Sequence, residues 1–340
     1  MKKKATKYWA VCLAAVVLTN CSDTEEPYTG SDDRMPLQLS ANINVVQTRA
    51  FDVTWESTDR IGVYTRYAGT TTITTSDGEP DANVPYKLKT PGSTDFEPAS
   101  SLKQIYLPAD GRRVDVYAYY PYQENVTEDA PLAITVQQIQ TSENQKGFDV
   151  LSAKKSSTDD NPIWRDNADA ALSFTHCLSK VRIRVVEGAG YNSELSGKIS
   201  NVVITNQPTT ATFAPISQQL TITDAANNEI TPQTLSSGDA DYTTTYTYTD
   251  NDEVEHNLPV IYSYRAIILP NNETTNPVGN SKIVFTVGEV TYNYTITEFF
   301  DPGEQVTFTI TLAATAVNIT AEITPWSNNN IIPNPLTPQP

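Results

Sequence analysis

The chain has 340 residues and a formal net charge of −17, with 40 acidic against 23 basic residues. This charge disfavours nucleic acids and anionic membrane surfaces as partners, because both carry negative charge themselves. The length is sufficient for a sizeable hydrophobic core and favours two domains over one.

The first twenty residues predict an export signal. Four lysines within the first seven residues precede an unbroken apolar run over residues 10–18. That run is too short to cross a bilayer as a helix, which takes about 20 apolar residues. A basic head before a short apolar run is typical of a signal peptide. We therefore expect residues 1–20 to be removed, and no later segment is apolar and long enough to span a membrane.

Cys21 follows this signal directly. The sequence Leu18-Thr19-Asn20-Cys21 resembles the lipobox of bacterial lipoproteins, in which the cysteine is acylated and becomes the first residue. We expect Cys21 to carry lipid (palmitate) and residues 21–35 to form a flexible acidic tether. The implied location is the cell outer membrane, reached through the lipoprotein export machinery, with the precursor exposed at the surface. An incidental cysteine in an ordinary secreted protein is the alternative.

The cysteines also limit how the chain can be stabilised. Cys12 leaves with the signal and Cys21 is expected to be lipidated, so only Cys177 remains. No intramolecular disulfide is then possible. We therefore expect stability to come from the hydrophobic core.

Alternation of apolar and polar residues is the dominant pattern of the mature chain. The first alternating run predicts a strand over 37–45 whose apolar face comprises Leu37, Leu39, Ala41, Ile43 and Val45. Similar runs rich in Thr, Val, Ile and Tyr follow to the C-terminus, separated by Pro, Gly, Asn and Asp. The pattern predicts an all-β fold of antiparallel β-sandwiches, with a short helical turn near 99–105. Residues 241–250 alternate as well and predict a hairpin arm or an edge strand.

The predicted strands divide into two sets along the chain. We predict an N-terminal β-sandwich domain over 36–175 and a C-terminal β-sandwich domain over 176–326, followed by an extended tail over 327–340. No flexible linker separates the two sets, so we expect close docking.

Signals for catalysis are weak. His176 shares the apolar phase of Leu172 and Phe174 and is interpreted as a hydrogen-bonded core histidine, and Cys177 as a structural thiol. Neither a nucleophile elbow nor a known metal-binding motif occurs. Two carboxylates could in principle act as a glycosidase pair, but nothing selects two of them. We predict no catalytic residue, no cofactor and no metal site.

Five segments in order carry a family resemblance. They are WESTDRIGVY (55–64), VYAYYPY (116–122), FDVLSA (148–153), LSFTHCLSKVRIRV (172–185) and GEQVTFTITL…ITAEITPW (303–326). Together they resemble the fimbrillin family, the subunits of type V pili on Gram-negative anaerobes. The resemblance implies two tandem transthyretin-like β-sandwich domains and assembly by donor-strand exchange. In such pili an arginine-specific protease cuts the lipidated precursor, the first strand is lost, and a strand of a neighbouring subunit replaces it.

Arg49 matches the implied cleavage site, with Ala50 as the new N-terminus. It lies after the first predicted strand and before Trp55, which we interpret as a plug of the core. Arg60 and Arg66 lie within or beside a predicted strand. Cleavage at Arg34 would precede the first strand and open no groove.

The replacement strand is predicted near the C-terminus. The apolar phase of Phe308, Ile310 and Leu312 slips across residues 313–316, which predicts a hinge followed by a separate strand. That strand carries Val317, Ile319, Ala321 and Ile323 on one face. This large-large-small-large order repeats that of Leu37, Leu39, Ala41 and Ile43. We predict that 317–324 is the donor and 37–45 the displaced strand; the alternative is that both pair within their own domains.

The sequence thus favours a structural fimbrium subunit that supports cell adhesion. Its expected partners are other pilin subunits, in a homo- or heteropolymer, an arginine-specific protease, and a host or bacterial surface ligand. An adhesive tip or a membrane-anchor subunit of the same pilus is one alternative. A surface glycan-binding lipoprotein, using Tyr-rich strands such as 242–248 and 292–294, is another. An enzyme is disfavoured.

Overall fold

Strands make up most of the structure. The computed structural model describes residues 34–43, 54–190, 192, 199–239, 241–270, 281–299, 301–313 and 317–326. Within these residues the predicted all-β fold is confirmed, with twenty-two strands and one α-helix. None of the helices in the described part of the chain has the length and hydropathy to cross a membrane.

The first ten strands precede residue 177. They are β1 (Gln38–Ile43), β2 (Arg60–Tyr67), β3 (Thr75–Ser76), β4 (Glu79–Pro80), β5 (Val84–Leu88), β6 (Asp95–Pro98), β7 (Val114–Tyr120), β8 (Leu132–Thr135), β9 (Leu151–Lys155) and β10 (Asp169–His176). Seven of them form a sheet that closes on itself in the order β1-β10-β9-β7-β2-β5-β6, with β6 pairing back to β1. We refer to it as the closed sheet.

Twelve further strands complete the chain. They are β11 (Ser179–Glu187), β12 (Ile199–Gln207), β13 (Thr210–Ala214), β14 (Gln219–Ile222), β15 (Asn228–Ile230), β16 (Gln233–Thr234), β17 (Thr245–Thr249), β18 (Glu255–Ile268), β19 (Lys282–Val287), β20 (Val290–Thr295), β21 (Glu304–Leu312) and β22 (Val317–Pro325). The central sheet has the order β16-β18-β11-β21-β22, and a second has the order β15-β12-β19-β20. The predicted arm is confirmed as the pair β17 and β18.

Two hydrophobic cores result. One fills the closed sheet, and the other lies among the later sheets. Residues from the first half contribute to both, because Tyr64 and Tyr119 pack into the second core and β8 pairs with β13. The division into domains at residue 175 stays a prediction.

Three local features differ from the sequence prediction or extend it. Two strand pairs are parallel, β1 with β10 and β11 with β21, whereas the sequence predicted antiparallel sandwiches. A 3-10 turn occurs at Ser101–Lys103, within the predicted helical stretch. The helix α1 (Ser142–Phe148) was not predicted, although the reciprocal bonds between Thr141 and Asn144 form a capping box.

Gly62 of β2 lies under a tyrosine ring. A Cβ atom at this position would be 2.2 Å from Cε1 of Tyr119 and 2.6 Å from Oδ1 of Asn83. The Tyr119 hydroxyl donates to Asn83 at 2.9 Å, so neither group can yield without breaking that bond. The close approach at Gly62 is therefore made by side chains.

We expect Gly62→Ala to destabilise the fold by about 1–3 kcal/mol, because the methyl group overfills this site. Urea unfolding monitored by circular dichroism measures the change. Gly147→Ala in α1 is the matched control, since a Cβ there meets nothing within 4 Å. Alanine favours a helix over glycine, so the control should be neutral or more stable. Equal effects of the two substitutions would contradict the packing argument.

Candidate functional site

β1 presents a fully buried apolar face to the closed sheet. Relative exposure is 3% for Leu37, 3% for Leu39, 0% for Ala41 and 7% for Ile43. The predicted alternation is therefore confirmed over these four residues. Val45, Cys21, Arg49 and Ala50 lie outside the described residues.

The backbone of β1 is paired along both edges. On one edge it runs parallel to β10, from Gln38 opposite Asp169 to Ile43 opposite Phe174. On the other edge Leu37 N donates to Ile105 O at 2.9 Å, and Ala41 N donates to Thr94 O at 2.8 Å. Loss of β1 would therefore leave unpaired backbone groups on both sides, as well as empty apolar sockets.

Trp55 completes the second edge. Its indole Nε1 donates to the carbonyl oxygen of Ala41 at 2.8 Å, at the end of β1 where β6 no longer pairs with it. The indole ring meets Phe96, Tyr120 and Phe174 edge to face, at centroid distances of 5.3, 5.6 and 5.1 Å. Three rings therefore fix the donor atom. The interpretation of Trp55 as a core plug is confirmed, and the indole adds a hydrogen bond to β1.

The segment 44–53 starts and ends at one place. Ile43 and Thr54, the described residues on either side of it, line the same cavity. Asp59 also lines this cavity and accepts from Glu56 N at 2.7 Å and from the Tyr120 hydroxyl at 3.0 Å. Burial raises the pKa of Asp59 despite these bonds. The cavity that Trp55 and Asp59 line is thus also lined by Ile43 and Thr54, the described residues nearest to Arg49 in the sequence.

An open cleft borders the outer side of β1. Its volume is about 860 Å³, and it is lined by Leu39 and Ser40 of β1, by Asp95 and Glu97 of β6, and by Asp169 of β10, among others. The strand is therefore buried on its inner face but lies beside a polar, solvent-filled space.

β22 pairs within its own chain. It is antiparallel to β21 along its full length, from Leu312 opposite Val317 to Glu304 opposite Pro325. The separate strand is confirmed, and the phase slip across 313–316 is the mark of a hairpin, in which opposed residues share a face. In this single chain β1 and β22 each pair with strands of the same chain. The assignment of β22 as donor and β1 as displaced strand stays a prediction.

The burial of β22 is much weaker than that of β1. Val317, Ile319 and Ala321 are only partly buried against the second core, and Ile323 is 43% exposed. β22 lies at the end of its sheet, and among the described residues no strand pairs with its outer edge. Such an edge strand can exchange partners more readily than a central one.

Three contacts hold the C-terminal part of β22 and Trp326, the residue that follows it. Trp326 stacks on His176 with ring centroids 3.7 Å apart, and its backbone N donates to Gly303 O at 2.7 Å. Glu322 lies 3.6 Å from Arg184 of β11. His176 is buried and bonded through Nδ1 to Asp149 at 2.9 Å, which confirms a core histidine.

Cys177 is a buried structural thiol, as predicted. Its sulfur lies 3.2 Å from the Ser152 hydroxyl. Burial raises the pKa of this thiol to about 12, so it is not a nucleophile near neutral pH.

Asp241 forms ion pairs with three cationic side chains of the central sheet. It lies 3.1 Å from Lys180 Nζ, 3.5 Å from Arg265 Nη1 and 3.9 Å from Arg182 Nε. Burial alone would raise the pKa of Asp241, but the positive charges of Lys180, Arg182 and Arg265 outweigh burial and lower it to about 2. The ion pairs of Asp241 with Lys180 and Arg182 stabilise β11. β11 pairs with β21, which in turn pairs with β22.

The tyrosine-rich strands use their rings in internal contacts. Tyr246 stacks on Tyr248, Tyr248 stacks on His256, and Arg184 lies 3.8 Å from the centre of the Tyr246 ring. Tyr292 stacks on Phe285, and Tyr294 meets Phe308 edge to face. These contacts are the alternation-based role that the sequence also allowed for the tyrosines. In the part of the chain that the structure describes, no group of three or more His, Cys, Asp or Glu residues could hold a metal ion.

Comparisons with known proteins agree on one family. The model of the family described as Fimbrillin-like matches residues 48–326. The proposed fimbrium subunit Fim1C of Bacteroides uniformis is 27% identical over 97% of each chain. A crystal structure of a proposed cell adhesion protein from Bacteroides uniformis has a TM-score of 0.63 at 25% identity, covering 87% of this chain and 100% of that one. The Mfa3 tip fimbrial protein of Porphyromonas gingivalis, with its C-terminus truncated, shares the fold at a TM-score of 0.50 and 10% identity, covering 85% of this chain and 99% of that one.

We expect Trp55→Phe to lower the free energy of local opening of β1 by about 1 kcal/mol, because the ring contacts remain while the hydrogen bond to Ala41 is lost. Hydrogen exchange measured by mass spectrometry should show faster exchange of β1 amides. Trp164→Phe is the control, since Trp164 bonds only through its backbone, to Asn167. Unchanged exchange of β1 in the Trp55 variant would contradict the role of the indole.

We expect Asp241→Asn to remove an acid-dependent part of the stability. A carboxyl group with a lowered pKa stabilises the fold above its unfolded value of 3.8, and this contribution is lost as the pH falls through about 2. Its size is on the order of 2 kcal/mol near neutral pH. Urea midpoints between pH 7 and pH 2 measure it, and the variant should lose stability less steeply below pH 4. Parallel curves for the two proteins would contradict the assignment.

Proposed function

The chain belongs to the fimbrillin-like family, and we propose that it is a structural fimbrium subunit that assembles by protease-triggered donor-strand exchange. Membership of the family implies a place at the cell surface. The observation that carries the proposal is β1 itself. It is a six-residue strand buried on one face, and it continues directly into the segment that holds Arg49.

Processing would remove β1 and leave a vacancy, an open groove, in the closed sheet. We propose that the chain reaches the outer membrane as a lipoprotein anchored through Cys21, and that an arginine-specific protease cuts after Arg49. Residues 21–49 then leave together with the lipid and β1. Ala50 becomes the N-terminus, and Trp55 remains on the processed chain.

The vacancy would be energetically costly. Three of the sockets hold large side chains, and full burial of each stabilises by roughly 1.5–3 kcal/mol. A whole domain is stable by only about 5–15 kcal/mol. The backbone groups of β10 that paired with β1 would also lose their partners. The open groove therefore strongly favours the addition of another strand.

β22 of a second copy is the proposed replacement. Its apolar residues are only partly buried in their own chain, and Ile323 is largely exposed. In the groove the same side chains would occupy sockets that are 0–7% exposed, and both edges of the strand would be paired. The gain in burial and in backbone pairing favours exchange over retention in the hairpin.

Tip and anchor subunits of the same fimbria are the competing roles. An anchor would keep the lipid on Cys21 and stay uncut, whereas a tip would need no donor strand. Mass spectrometry of the assembled protein distinguishes them. We expect an N-terminus at Ala50 without lipid. A lipidated Cys21 in the polymer would assign an anchor.

We expect Arg49→Ala to stop polymerisation, because β1 then stays covalently attached. The measurement is a ladder of oligomers on mild-detergent gels after treatment with an arginine-specific protease. Arg34→Ala is the matched control and should polymerise like the unmodified chain, since cleavage there precedes β1. Polymer from uncut Arg49→Ala protein would contradict the proposed trigger.

Deletion of residues 316–340 should also abolish polymer, because it removes the donor strand while the groove stays intact. The truncated chain, once processed, should instead terminate chains formed by the full-length protein. Size-exclusion chromatography of mixtures measures both effects. Undiminished polymer from the truncated chain alone would rule out β22 as donor.

A further inference from the structure

The groove under β1 has an asymmetric order of sockets. From Leu37, the residue before β1, to Ile43 at its end, the groove is filled by Leu37, Leu39, Ala41 and Ile43, all at most 7% exposed. The third position is small and is completely buried. Trp55 is bonded to the Ala41 carbonyl, and its indole is held by three other rings. The third socket is therefore closed, and it lies beside a packed aromatic cluster.

This asymmetry distinguishes the two directions in which β22 could enter. In the direction of β1, residues Val317, Ile319, Ala321 and Ile323 take the places of Leu37, Leu39, Ala41 and Ile43. In the opposite direction Ile319 would fall in the small socket and Ala321 in the socket of Leu39. That placement overfills one site and leaves a cavity in another, and both errors are costly in a close-packed core.

We propose that the β22 strand of the incoming copy enters in the direction of β1, parallel to β10, with Ala321 bound at Trp55. The inference rests on the proposed function and adds the direction and register of the exchange. Residues with inward side chains keep their backbone groups on the edge away from β10, so the Ala321 carbonyl would accept the indole N–H that Ala41 accepted. A parallel ladder is slightly weaker per residue than an antiparallel one. Socket size, rather than backbone pairing, therefore selects the direction.

Cysteine pairs can report the direction in the polymer. Ser173 of β10 is exposed and lies opposite Asn42 of β1. In the proposed register Glu322 takes the place of Asn42, whereas in the opposite direction Asn318 does. We expect polymer of Ser173→Cys/Glu322→Cys to form a covalent ladder under mild oxidation, and polymer of Ser173→Cys/Asn318→Cys to stay uncrosslinked. Cys177 does not interfere, because its thiol is buried.

The controls are Ser173→Cys alone and the uncut Arg49→Ala form of each pair. A ladder from the Asn318 pair would overturn the direction while leaving strand exchange intact. Polymer that neither pair crosslinks would overturn the register. Absence of polymer from all processed variants, including Ser173→Cys alone, would instead contradict the proposed function.

The size of the third socket gives an independent test. We expect Ala321→Leu to slow polymerisation by about tenfold or more, since the added atoms must enter a closed site. Ile319→Leu, which conserves volume two residues earlier, should polymerise at nearly the normal rate. Thermal unfolding of the uncut precursors checks that both variants keep the hairpin. Equal polymerisation by both variants, with both folded, would overturn the assignment of Ala321 to the Ala41 socket.

Discussion

Closure of the seven-stranded sheet by β1 is the constraint on which the rest of the molecule depends. β1 is held on one edge by β10 and on the other by β6, Ile105 and Trp55. Its apolar face is buried in the first core. The closed sheet has no free edge while β1 is present, and it acquires one on β10 as soon as β1 is absent. A single strand therefore decides whether this half of the molecule is complete.

β1 and β22 lie in opposite environments, and this contrast supports the proposed exchange. β1 has two paired edges and a buried face, whereas β22 has one paired edge and a half-exposed face. A strand placed like β22 gains by moving into a site like that of β1. The contacts of Trp326 with His176 and of Glu322 with Arg184 oppose that movement in the intact chain. The nine residue pairs between β22 and β21 oppose it as well, so the proposed exchange requires that burial and pairing in the groove outweigh all of these contacts.

The sequence predicts the elements that depend on side-chain alternation. It does not predict whether neighbouring strands run parallel or antiparallel. The buried faces of β1 and β21 and the role of His176 follow from residue type and period. The parallel pairing of β1 with β10 does not, because a period of two is the same for both orientations of a strand. The phase slip at 313–316 predicts a hinge between two strands. A hairpin also explains it, because the apolar residues of β21 and β22 are paired opposite each other and share one face. The helix α1 was not predicted, because seven residues carry too little periodicity. Its capping box is the one local signal of a helix at this position.

Trp55 shows how a residue of the fold can also serve recognition. It lies after Arg49 in the chain, so it would stay with the processed subunit, whereas the carbonyl that it binds would leave with β1. Its indole N–H would then point into the empty groove, held by Phe96, Tyr120 and Phe174. A strand that places a carbonyl at this point would restore the hydrogen bond that the indole made to Ala41. The same atom that stabilises the intact chain would thus select the register of the strand that replaces β1.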